Sequence, residues 1–192
     1  MNLKLNNMLL KLKHYFLILL SLSIFLVGCS GGDDDTTSEN QVNPNDNSLK
    51  SLSFTKADNP GLTMNCAAVQ NDNLFYVTLP DEIDLTKAVP SFIIAEEATA
   101  SVNGKSLVSG QTAVDFSNTT KITVTSKSGL TRTYTVLAKN GNARIDNMVY
   151  SYMVKHKVPA VSLAISKEES IVYKAAYGFA DVAKEERVTS DY

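Results

Sequence analysis

Short apolar runs of β period, each closed by a turn signal, constrain the middle of this 192-residue chain more than any other feature. Alternation runs through Leu74-Phe75-Tyr76-Val77-Thr78-Leu79, Phe92-Ile93-Ile94-Ala95, Lys121-Ile122-Thr123-Val124-Thr125 and Thr133-Tyr134-Thr135-Val136-Leu137. Leu49, Leu52 and Phe54 mark a further strand. Between the runs fall Asn59-Pro60-Gly61, Pro80-Asp81, Asn103-Gly104, Ser109-Gly110 and Ser128-Gly129. Residues placed on alternate sides bury one face of a strand, and Gly, Asn and Pro reverse the chain at little steric cost. No helical stripe interrupts the pattern. Residues 50–141 therefore read as a mainly β domain, an antiparallel β-sandwich.

The order of features within it resembles the small Ig-like domains of Bacteroidota surface lipoproteins. The matching segments are Leu79 to Thr86, Ser109 to Ser117 and the closing hairpin ending Tyr134-Thr135-Val136. They are built from structural residues, so the resemblance implies a module more than an activity.

The first 28 residues set the compartment. Lys4, Lys11 and Lys13 precede an apolar stretch from Tyr15 to Val27, too short to span a bilayer comfortably and suited to a signal peptide. It closes on Leu26-Val27-Gly28-Cys29-Ser30, which resembles a bacterial lipobox. The resemblance implies that Cys29 is acylated and becomes the mature N-terminus, and two or three acyl chains suffice for stable anchoring. Residues 29–49 then carry Asp33, Asp34, Asp35, Glu39 and Asp46 without Lys or Arg before Lys50. Such a segment buries too little apolar area to offset its ordering entropy and reads as a disordered acidic linker. Gly31-Gly32-Asp33-Asp34-Asp35 resembles the export signals of Bacteroidota surface lipoproteins. The expected location is the outer membrane, facing the surface or the periplasm.

Residues 142–192 change period. Ile145, Met148, Val149, Tyr152 and Met153 form an apolar stripe at helical spacing. Lys155, His156 and Lys157 suit the helix C-terminus, and Pro159 ends it. Val161 to Ile165 and Ile171 to Tyr173, joined through Lys167-Glu168-Glu169-Ser170, read as a hairpin. With Val158-Pro159-Ala160, Tyr177-Gly178-Phe179-Ala180-Asp181-Val182 and Arg187-Val188-Thr189, this segment resembles the N-terminal start of β-lactamase-related serine hydrolases, the family of class C β-lactamases, D,D-peptidases and related esterases. Ala160 and the Glu168-Glu169 turn depart from the family pattern, in scaffold positions. The resemblance implies an α+β fold whose Ser-x-x-Lys nucleophile would follow Asp191-Tyr192. The segment thus reads as a truncated enzyme, with no catalytic residue in this chain.

Two motif matches lie elsewhere. Ser53-Phe54-Thr55-Lys56 fits Ser-x-x-Lys, and Lys127-Ser128-Gly129 fits Lys-Ser-Gly. Ser53 and Lys56 fall in a strand pattern, where they do not stand one helical turn apart as the base must. Lys127-Ser128-Gly129 has the form of a hairpin turn with Gly at a positive φ. Neither is expected to be catalytic.

A net charge of −2 and the lack of a basic patch argue against nucleic acid as a partner. Lipidation of Cys29 leaves Cys66 unpaired within an apolar run, a buried inert thiol. His14 leaves with the signal peptide, His156 sits at a helix end, and no ligand pair has metal spacing, so no cofactor or metal is expected. Two functions follow. One is a lipid-anchored cell-envelope serine hydrolase represented by its non-catalytic part. The other is a non-enzymatic surface lipoprotein whose Ig-like domain binds a glycan, peptidoglycan included, or acts as a spacer.

Overall fold

The computed structural model describes residues 42–189. The signal peptide, Cys29 and the acidic run of the linker lie outside the described residues.

Two sheets share one core. The smaller is ordered β2 (Cys66–Ala67), β1 (Leu49–Phe54), β5 (Ser91–Ile94). The larger is ordered β3 (Val69–Asn71), β4 (Leu74–Leu79), β9 (Thr131–Asn140), β8 (Thr120–Thr125), β6 (Thr99–Val102), β7 (Lys105–Leu107). Leu49, Leu52 and Phe54 meet Phe75, Val77, Leu79, Ile122, Val124, Tyr134 and Val136 in the space between. Phe116 reaches in from the loop before β8 and sets its ring edge-on to Phe54, at 5.1 Å between centroids. The chain is mainly β, as the alternation predicts.

One expectation is corrected. The sandwich is not wholly antiparallel, because β4 and β9 pair in parallel, from Leu74 opposite Thr135 to Leu79 opposite Asn140. A parallel pair needs a long crossover, and the chain between them supplies it by building β5 in the other sheet before returning through β6, β7 and β8. The uneven spacing of Leu49 and Leu52 also has a cause. The register of β1 against β5 shifts between Leu49 and Ser51, and that bulge lets both leucines face the core. At the tip of β6–β7, Asn103 and Gly104 take φ of 50° and 74°, the tight turn their dipeptide predicts.

After β9 comes α1 (Ala143–His156). Asn142 caps it, its side-chain oxygen accepting from the N–H groups of Arg144 (3.1 Å) and Ile145 (3.2 Å). Lys157 turns left-handed at the far end, and Val158 N–H donates back to the Met153 carbonyl at 2.9 Å. The hairpin β10 (Ala160–Lys167) and β11 (Ser170–Asp181) follows, with β12 (Glu186–Arg187) beside β11.

The buried face of α1 differs from the apolar stripe. Met148 and Tyr152 are 71% and 55% exposed, whereas Asp146, Tyr150 and Met153 are buried. The helix is turned so that the Asp146 carboxylate enters the interior. This face packs on the outer side of the larger sheet. Tyr76 of β4 stacks on Tyr150 at 4.7 Å, and Tyr177 of β11 meets the same ring edge-on at 5.3 Å. Leu137, Met153, Ala175 and Phe179 complete this second core. The helix and the base of the hairpin therefore have a partner layer. By contrast, Ile171 and Val172 near the hairpin tip remain 65% and 58% exposed.

Candidate functional site

The densest polar cluster lies where α1, β4, β9 and β11 meet, centred on Asp146. This side chain is fully buried, and each of its oxygens takes two partners. Oδ2 accepts from Thr78 Oγ1 at 2.9 Å and faces Lys139 Nζ at 3.0 Å. Oδ1 accepts from the Tyr177 hydroxyl at 2.5 Å and from the Tyr173 hydroxyl. A carboxylate has about four acceptor sites, so the demand of the group is met in full. Lys139 also sits over the Tyr177 ring, 4.2 Å from its centroid. Gly141 permits this approach, since a Cβ there would stand 3.1 Å from Asp146 Oδ2.

Burial raises the pKa of Tyr177, and its hydrogen bond to Asp146 raises it further. Tyr173 is raised by the same two causes in the same order. Tyr76 and Tyr150 are raised chiefly by burial. Below about pH 10 both folded and unfolded tyrosines are neutral, and the stabilisation from these residues is present in full. Above it the unfolded chain sheds protons that the folded chain retains, so stability falls as the pH rises. We expect these four tyrosines to ionise only together with loss of the second core. A titration of phenolate absorbance alongside circular dichroism checks this. One uniform class of tyrosines ionising in an intact fold would refute it.

The arrangement holds four elements together and places no nucleophile beside a base. Ser53 lies in β1, its hydroxyl donating to the Ser91 carbonyl at 3.3 Å, and the Lys56 N–H donates to Asn65 Oδ1. Lys127 pairs with Glu97 at 2.9 Å, the Ser128 and Ser126 hydroxyls lie 3.0 Å apart, and Gly129 has φ of 88°. Cys66 is buried, which pushes its thiol pKa up. His156 is exposed, its ring tilted 37° to that of Tyr152 with 4.4 Å between centroids. Among the described residues no cluster of His, Cys, Asp or Glu is arranged to hold a metal. Sequence reasoning missed Asp146 because an apolar template ignores a charged residue on the buried face. The near-continuous apolar run of β4 was the available signal, since it marks a strand covered on both sides.

A further feature is a polar groove of about 470 Å³ between the β6–β7 hairpin and the loop leading into β8. The loop is tightly fastened. Val114 N–H donates to Ala88 O, Phe116 N–H donates to Leu85 O, and Thr120 Oγ1 donates to Asp115 O at 2.9 Å. Asp115 Oδ1 accepts from the Ser117 N–H at 2.8 Å and hydroxyl at 2.6 Å. These bonds hold its pKa below the usual carboxylate value.

The sandwich has a family likeness. Residues 52–138 match the family model described as SGBP, N-terminal. The matched stretch runs from β1 to the end of the core residues of β9, and the helix and hairpin fall outside it. No curated protein matches the chain. Among solved structures, a Bacteroides fragilis protein provisionally described as secreted aligns at 13% identity and a TM-score of 0.36, over 51% of this chain and 98% of that one. A Bacteroides thetaiotaomicron protein provisionally described as a glycoside hydrolase aligns at 17% identity and a TM-score of 0.41, over 70% of this chain. The chain spans 36% of the length of that larger protein.

Proposed function

We propose that the chain is a surface lipoprotein of the bacterial cell envelope, held in the outer membrane through Cys29, whose β-sandwich faces a glycan. The match of residues 52–138 to the N-terminal family of surface glycan-binding proteins carries this reading. The lipobox-like run ending at Cys29 and the acidic residues behind it supply the anchor and tether. In this reading residues 50–141 are the working module. The test has two arms. A Cys29→Ala variant is expected to leave the membrane fraction or to remain unprocessed. The purified chain is expected to be retarded in native gels containing at least one envelope or dietary polysaccharide. A variant that fractionates like the parent sinks the anchor, and indifference to every polysaccharide, peptidoglycan included, sinks the glycan.

An alternative reading is that residues 142–192 open a serine hydrolase domain for which the sandwich is a spacer. The observation favouring it is the order of elements, a capped helix followed by an antiparallel hairpin with Tyr177-Gly178-Phe179 on its second strand. In that reading the chemistry belongs to residues beyond the ones described. An acylating phosphonate probe is expected to leave this chain unlabelled, and a covalent adduct on any serine would overturn that expectation.

A further inference from the structure

We propose that the free edge of β10 is a self-association surface, on which a second copy of the chain lays its own β10 antiparallel about a two-fold axis at Leu163. The inference goes beyond the glycan-binding reading and does not depend on it. Among the described residues β10 pairs with β11 alone, so one side of an eight-residue strand carries no neighbour. The Pro159 carbonyl accepts from Phe179 N–H, which sets Val161, Leu163 and Ile165 as the residues whose backbone bonds β11. The N–H and C=O groups of Ala160, Ser162, Ala164 and Ser166 then point away from the hairpin. The other sheet edges are blunted. Strands β2, β3, β7 and β12 have two or three residues each. The β5 edge is sealed by Ser109, whose hydroxyl accepts from Phe92 N–H at 2.7 Å and donates to Phe92 O at 2.9 Å. Edge strands are also protected by Pro, by charge or by a bulge. From Ala160 to Ser166 β10 has neither Pro nor charge, and the register shift at Ile165/Ser166 places its extra residue, Val172, in β11.

Self-complementarity selects the occupant. The four residues with outward backbone groups are symmetric about Leu163, so Ala160 meets Ser166 of the second copy and Ser162 meets its Ala164. Their side chains are small, which lets two backbones approach. On the opposite face Ile165, 37% exposed, comes to lie beside Val161 of the second copy. Charge fixes the direction. Exposed Lys155 and Lys157 stand before the start of β10, and exposed Glu168 and Glu169 stand at its end. Antiparallel addition brings each acidic tip to the basic end of the other copy, twice per dimer, whereas parallel addition sets like charge against like. Turn geometry does not account for the two glutamates. They take φ of 49° and 64°, a turn that Asn-Gly or Asp-Gly makes with less strain.

The experiment is sedimentation equilibrium of the full chain up to about 100 μM, above the micromolar range expected of a small interface. We expect a concentration-dependent dimer. Ser162→Pro removes an N–H from the edge and should raise the dissociation constant about tenfold or more. Glu168→Lys with Glu169→Lys should weaken the dimer likewise, as should Lys155→Glu with Lys157→Glu. Mixing these two doubly substituted chains should restore association, because each tip again meets an opposite charge. All four charged positions are exposed, so lost folding does not imitate this pattern, and circular dichroism checks it. Leu163→Cys tests the axis, since opposed residues of a non-hydrogen-bonded pair stand about 4.5 Å apart at Cα, within disulfide reach. With copper–phenanthroline as oxidant it should link two copies, and Ser170→Cys at the tip should not. A monomer at the highest concentration overturns the proposal, as does a dimer indifferent to Ser162→Pro and to the charge reversals. A dimer that Leu163→Cys fails to link overturns the two-fold register.

Discussion

Replacing Gly178 by alanine is expected to tear the hairpin from the helix and to cost about 3–5 kcal/mol, in the range reserved for severe steric lesions. Gly178 has φ of 80°, where a side chain is already strained by about 1–2 kcal/mol. Its new Cβ would lie 2.0 Å from the Pro159 carbonyl oxygen, 3.0 Å from the Pro159 carbonyl carbon and 2.9 Å from Met153 Cε. The methionine end can swing aside. The backbone of Pro159 cannot, because its oxygen accepts from Phe179 N–H at 3.2 Å and Ala160 pairs directly with Gly178. On the other side, Gly178 O accepts from Val188 N–H at 3.2 Å. The strand is pinned from both edges. Gly104→Ala provides the comparison, since it has φ of 74° but open space around the added carbon. Denaturant unfolding of both variants separates the two contributions. If Gly178→Ala costs no more than Gly104→Ala, close packing at the hairpin is refuted.

That glycine illustrates what was legible in the residues and what was not. The Tyr-Gly-Phe run is visible in the sequence, and the resemblance to β-lactamase-related hydrolases places it at the end of a second strand. The reason only glycine fits was not visible, because the obstruction comes from Pro159, outside its own strand. Strand β8 follows its pattern closely, burying Thr120, Ile122 and Val124 on one face, whereas β4 is buried on both faces because the helix and the second hairpin strand cover its outer side. The uneven Leu49–Leu52 spacing carried the sign of a bulge, but only pairing with β5 shows it. The parallel β4–β9 pair was hidden, because local alternation is the same for either strand direction. The helix misled most. Its exposed Met148 and Tyr152 completed an apolar stripe, while the residue that sets its orientation is Asp146, whose partners come from three other elements. The polar groove follows the same logic, because it joins segments whose separate residues look like ordinary turns.

Asp146→Ala is expected to destabilise the second core by about 3–5 kcal/mol, as removal of one partner of a buried pair does. The change leaves Lys139, whose side chain is 18% exposed, facing the apolar ring of Tyr177 without a counter-charge. It also leaves the hydroxyls of Thr78, Tyr173 and Tyr177 without their shared acceptor, each lost bond adding to the cost. Asp146→Asn keeps the shape but loses the charge that Lys139 answers, so it should fall between the parent and Asp146→Ala. The decisive measurement is a double-mutant cycle with Lys139→Met. If the two side chains form one unit, Lys139→Met should rescue part of the loss when added to Asp146→Ala, because it removes the stranded ammonium. The expected coupling is on the order of 1–3 kcal/mol. Limited proteolysis gives an independent readout. With the cluster intact, the helix and the base of the hairpin should resist cleavage along with the sandwich, whereas Asp146→Ala should open them and spare residues 50–141. Strict additivity of the two substitutions would show that Asp146 and Lys139 act separately, and the cluster would then not be what fastens the helix and hairpin to the sheet.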